Sequence, residues 1–130
     1  MINHPDFITR QHIRDNPTTL FLFGDNVSEA GMGGMAKEFR GEPNTHGIPT
    51  KWLPSMFDGA FFEDKDYPRI CFLIAEQSQT IVKLMDGHNL QFLHIPNGIG
   101  EGLAEMDRRA PKSFAFLTHS LQYLHERYES

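Results

Sequence analysis

Apolar residues along this chain follow two rhythms. The first is the short unbroken run. Leu20-Phe21-Leu22-Phe23 and residues 90–95 are continuous apolar stretches bounded by turn formers. Such runs predict strands covered on both faces, as in a parallel sheet. Gly47-Ile48-Pro49-Thr50 predicts a third, shorter strand, and Pro49, which has no N–H to donate, puts it at an edge or a strand end. The second rhythm is a recurrence every three or four residues. After Asp66-Tyr67-Pro68 it runs through Ile70, Leu73, Ile74, Gln77, Ile81, Leu84 and Met85, and Gly87 ends it. After Pro111 it runs through Phe114, Leu117, Leu121, Leu124 and Tyr128.

Shorter helices are predicted at 5–14, at 33–40 and at 104–110. In the first, Pro5 suits an opening turn, Asp6 its positive end and Phe7, Ile8 and Ile13 an inner face, with Asn16-Pro17 as the stop. In the second, Met35, Ala36 and Phe39 face inward and Gly41 caps the end. The pattern fails over 51–66, where Trp52, Phe57, Phe61 and Phe62 lie among Pro, Gly, Ser and Asp. A loop of that length predicts a lid or a binding loop. Strands alternating with helices predict a single α/β domain over 1–130 with a small, mostly parallel central sheet flanked by helices. The irregular stretches leave room for one or two more strands.

Composition narrows the chemistry. The 130 residues carry a net charge of -5, which gives no footprint for duplex nucleic acid or an anionic membrane. Cys71 is the only cysteine, so no internal disulfide is expected. With no secretion signal and no apolar run of membrane-spanning length, a soluble protein of a reducing compartment is expected. The histidines lack metal-ligand spacing: His119 and His125 are too far apart, and His46, His88 and His94 are isolated. No metal site is predicted. Cys71 has no activating partner in view, and no Gly-x-Ser-x-Gly elbow is present.

The chemistry-bearing stretches are two glycine-rich loops, each after a predicted strand. The first is Gly31-Met32-Gly33-Gly34, leading into a helix; the second is Asn97-Gly98-Ile99-Gly100-Glu101-Gly102. Such loops gather at the carboxyl ends of parallel strands. Glycine lets the backbone approach a ligand and take positive φ, so that successive N–H groups converge on an anion, with a helix start adding positive potential. Two loops facing each other can hold a diphosphate; the alternative is that the glycines serve only as turns. Neither the Gly-x-x-x-x-Gly-Lys-Ser/Thr nor the Gly-x-Gly-x-x-Gly pattern is present.

Around these loops, Asn26 can contact a ribose hydroxyl and Asp25 can orient a water, or the pair is simply a turn. Arg40-Gly41-Glu42-Pro43-Asn44 offers charges and an amide, or a solvated helix end. Lys51 can meet a phosphate, and Trp52 can stack on a base or fill the core.

Through Phe23-Gly24-Asp25-Asn26, Gly31-Met32-Gly33-Gly34 and Pro96-Asn97-Gly98-Ile99-Gly100-Glu101-Gly102 the chain resembles the macrodomain, an ADP-ribose-binding module. Asp6-Phe7-Ile8-Thr9 resembles that family's adenine-holding Gly-Asp-Ile-Thr. The order Phe-Gly-Asp-Asn, Gly-Gly, Arg-Gly-Glu-Pro-Asn, Ile-Pro-Thr-Lys is also similar to small macrodomain-like proteins of phages and bacteria. The resemblance implies a three-layer macrodomain-like fold and binding of ADP-ribose or a related NAD-derived nucleotide. Gly33, Gly34 and Met35 would hold one phosphate, Gly98, Ile99 and Gly100 the other, and Asn26 the distal ribose. Gly24, Gly31, Arg40, Thr50, Lys51, Asn97 and Gly102 complete the implied ligand-binding set.

Many hydrolytic macrodomains carry an aspartate just after the glycine turn, whereas Met35-Ala36-Lys37 stands here. Binding is therefore the leading expectation. The second is an ADP-ribosyl hydrolase using Asp25 or Glu42. The third is a non-enzymatic protein that sequesters a nucleotide or contacts a host protein. A nucleotide or an ADP-ribosylated substrate is the expected partner, in the cytoplasm of a bacterium or of a phage's host.

Overall fold

The computed structural model describes residues 8–87 and 89–128. Along the chain run α1 (Arg10–Asp15), β1 (Thr19–Asn26), α2 (Ala36–Phe39), β2 (Thr45–Lys51), α3 (Tyr67–Gly87), β3 (Phe92–His94), α4 (Met106–Arg109) and α5 (Pro111–Tyr128). The three strands form one parallel sheet in the order β2-β1-β3. Strand β2 is an edge, so Pro49 sits where a missing N–H is tolerated.

The continuous apolar run of β1 follows from its central place. Alternate residues of a strand point to opposite faces. Leu20 and Leu22 join Ile48, Ile70, Ile74, Leu117 and Leu124 on one side. Phe21 and Phe23 join Ile8, Ile13, Ala36 and Phe39 on the other. The fold is thus three-layered, with α1 and α2 on one face of the sheet and α3 and α5 on the other.

Several predicted elements differ in extent, the first two helices most. Helix α1 begins at Arg10, where Thr9 caps it by accepting from the His12 N–H at 3.1 Å; Pro5, Asp6 and Phe7 lie outside the described residues, as does His88. Helix α2 has only four residues, because the glycines before it favour turn over helix by roughly 1 kcal/mol each. The stretch 51–66 is not a free lid. Phe61 and Phe62 are buried, and Phe61 bridges back to Lys51. Trp52 packs on Phe62, with ring centroids 4.7 Å apart, and Arg69 covers it. Among the described residues, no helix is long and apolar enough to cross a membrane.

Strand β3 pairs only with the first half of β1, through Thr19, Leu20 and Phe21. Beyond that point the chain leaves the sheet and brings Ile99 beside Gly24 in the second half of β1. A Cβ built on Gly24 would stand 3.7 Å from Ile99 and 3.4 Å from Thr50. The carboxyl end of β1 therefore faces loops from both sides.

Candidate functional site

Both glycine-rich loops border a single cleft of about 300 Å³. That is the low end of the roughly 300–1,000 Å³ usual for small-molecule sites. Gly31, Gly33, Gly34 and Met35 form one wall, and Gly98, Ile99 and Gly100 another. Gly24, Asp25, Asn26, Thr50 and Lys51 form the floor at the strand ends. Asn97 and Gly102 flank the second wall without bordering the cleft.

The loops offer donors. Among the described residues, the N–H groups of Gly33, Gly34, Met35, Gly98, Ile99 and Gly100 make no internal hydrogen bond. Gly34, Gly98 and Gly100 have φ of 57°, 83° and 91°, which only glycine adopts without strain. Gly33 lacks a positive φ, and nothing lies within 4 Å of where its Cβ would stand. Neither backbone conformation nor packing requires a glycine there. Because α2 is a single short turn, its dipole adds little, and the donors belong to the loop itself.

The polar floor is largely self-satisfied. Arg40 spans Asp25, donating to Oδ1 at 2.6 Å and Oδ2 at 3.0 Å. The same guanidinium donates to the Gly31 carbonyl at 2.9 Å and the Ala30 carbonyl at 3.2 Å. Its hydrogen bonds to Asp25 hold the Arg40 guanidinium above its ordinary pKa. Arg40 thus ties the first loop to the strand end, and its donors are spent on the protein rather than on a ligand. Asp25 also accepts from the Asn26 N–H at 2.8 Å, so its carboxylate is already surrounded by donors. Asn26 folds the following turn: its amide donates to the Ala30 carbonyl at 2.8 Å and accepts from Ser28. Thr50 donates to the Asp25 carbonyl at 3.2 Å.

Lys51 borders the cleft but turns its ammonium to the Ser55 carbonyl at 2.8 Å and over the Phe61 ring at 4.4 Å. Arg109 lies over Phe61 as well, 3.9 Å from its centroid. Burial, and then the charge of Arg109, pushes the Lys51 ammonium below its ordinary pKa.

Glu42 is placed outside the cleft. It receives Arg10 at 2.5 Å and Arg14 at 3.0 Å, and these bonds pin α1 to the end of α2. Asn44 works beside it, its amide nitrogen 3.0 Å from the carbonyls of Ile13, Asn16 and Thr19. The Arg-Gly-Glu-Pro-Asn stretch is therefore a brace.

Two features escaped the sequence reading. Glu101 borders the cleft, and so do Met56 and Leu103, which are 55% and 67% exposed. Met56 had no periodic pattern to mark it, and Glu101 was hidden among glycines read only for their backbone. Among the described residues, no group of three His, Cys, Asp or Glu is placed to hold a metal ion.

The model of a family of unknown function (DUF7831) matches residues 3–120 of the chain. No curated protein and no solved structure matches it.

Proposed function

The chain belongs to this family of unknown function (DUF7831), and we propose from the cleft that it binds ADP-ribose or a related NAD-derived nucleotide. The observation that carries this reading is that two glycine loops, distant in sequence, border one cleft and carry N–H groups that make no hydrogen bond among the described residues. A diphosphate presents acceptor oxygens to both walls, and backbone N–H groups in such concavities bind anions without a cationic side chain. The apolar edges of Met56 and Leu103 suit the face of a nucleobase, since methionine adapts to an aromatic ring. The macrodomain resemblance points to the same ligand class.

Binding is favoured over hydrolysis. A carboxylate held by both arms of Arg40 has few lone pairs left to draw a proton from water, and Glu42 stands elsewhere. Titration calorimetry with ADP-ribose tests the reading. Saturable heat with a dissociation constant below about 1 mM, roughly -4 kcal/mol, is expected; no heat at millimolar ligand contradicts it. Appearance of free ADP-ribose from an ADP-ribosylated protein, undiminished in Asp25→Asn, would instead make the chain a hydrolase with a different base.

A further inference from the structure

Glu101 is the unclaimed charge of the cleft. Its exposed side chain borders the cleft from the second loop. Its Oε2 lies 3.8 Å from where a Cβ on Gly98 would stand. The Glu101 N–H donates to the Gly98 carbonyl at 3.0 Å, which keeps the residue beside that loop. The other charged groups bordering the cleft are engaged, Asp25 by Arg40 and Lys51 by the Ser55 carbonyl. Among the described residues, no side chain or backbone donor reaches the Glu101 carboxylate.

A bare carboxylate next to an anion-binding loop repels the anion. The repulsion is offset only by a ligand that brings hydrogen-bond donors to the carboxylate. A diphosphate esterified at both ends has none. A ribose has adjacent hydroxyls, and a carboxylate accepts from both. Carboxylates serve this purpose in other nucleotide sites, at the ribose hydroxyls next to a glycine loop that holds phosphate.

We propose that Glu101 reads the sugar: it accepts hydrogen bonds from the hydroxyls of a ribose attached to the diphosphate, and so selects ribosylated diphosphates over the bare anion. This rests on the two-loop phosphate site proposed above. It also predicts that one substitution moves two affinities in opposite directions, which a merely structural residue does not do.

The test is calorimetry of the wild type and of Glu101→Gln with two probes, ADP-ribose and dimethyl diphosphate, which is esterified at both ends and has no hydroxyl. Loss of one charge-assisted hydrogen bond, net of the relieved repulsion, should weaken ADP-ribose at least about fivefold. Dimethyl diphosphate, freed of the repulsion alone, should bind about two- to fivefold more tightly. Because the side chain is exposed and unpartnered, the melting temperature should not change, and Glu101→Ala should repeat both shifts. Affinities that move in the same direction, or do not move, overturn the role of Glu101 while leaving the phosphate site standing. If the wild type binds neither probe, the phosphate site falls and this inference falls with it.

Discussion

The two glycine loops look alike in sequence, yet Gly33 and Gly34 of the first and Gly100 of the second stand in opposite surroundings. In the first, Gly33 and Gly34 face open space, with nothing within 4 Å of an added Cβ. That loop is held from outside, by Arg40 reaching the carbonyls of Ala30 and Gly31. In the second, Gly100 is pressed against α5, where an added Cβ would stand 3.0 Å from both Phe114 and Leu117. That loop is held from beneath, by packing and by the Met106 N–H on the Gly100 carbonyl at 2.8 Å. A glycine in such a stretch can thus stand in open space or against the core, and only the surroundings of each Cβ distinguish the two.

Removing the outside support should cost most. Arg40→Met leaves the Asp25 carboxylate, 6% exposed in its side chain, without its counter-ion. Breaking one side of a buried pair typically costs about 3–5 kcal/mol. Denaturant unfolding should register a loss near the low end, since Arg40 is itself partly exposed; a loss under about 1 kcal/mol would mean that the pair is a surface contact.

Next comes the packed glycine. Gly100→Ala adds overpacking to a φ of 91°, for a loss of about 2–4 kcal/mol. Gly33→Ala should stay within about 0.5 kcal/mol of wild type. Equal losses at the two positions would erase the distinction between the loops. Gly33→Val separates stability from function: its branched side chain fills the space before the N–H groups, so ADP-ribose binding should fall at least about tenfold, about 1.4 kcal/mol, with the melting temperature unchanged. Retained affinity would take that wall out of the site.

The smallest effect concerns the brace rather than the loops. Hydrogen bonds from Arg14 and then Arg10 hold the Glu42 carboxyl below its ordinary pKa. A depressed folded pKa contributes stability above the unfolded value, lost as pH falls through the folded one. Wild type should therefore lose melting temperature relative to Glu42→Gln as pH drops below the ordinary glutamate range near 4.5. ADP-ribose affinity at neutral pH should be equal in the two. Parallel melting curves across that window would remove Glu42 from the account of α1.

Much of the fold was legible because burial writes itself into spacing. The two-faced run of β1 and the periodic apolar residues of α3 and α5 announced the layers, and Pro49 announced an edge. The glycine loops were legible as loops, since positive φ and close approach both call for glycine. What was not legible depends on pairs distant in sequence. Nothing local says that Arg40 folds back on Asp25, that Glu42 receives Arg10 and Arg14, or that Phe61 and Phe62 anchor an aperiodic segment. Residues proposed as ligand contacts because they are polar, such as Asn26 and Lys51, proved to have partners within the chain. The carboxylate of Glu101, passed over, has none among the described residues.

The most direct test of the central claim is amide NMR during titration with ADP-ribose. If both loops grip one diphosphate, the N–H resonances of Gly33 and Gly34 and those of Gly98 and Gly100 should shift downfield together along one binding isotherm. Shifts confined to one loop, or absent from both at saturating ligand, would contradict it.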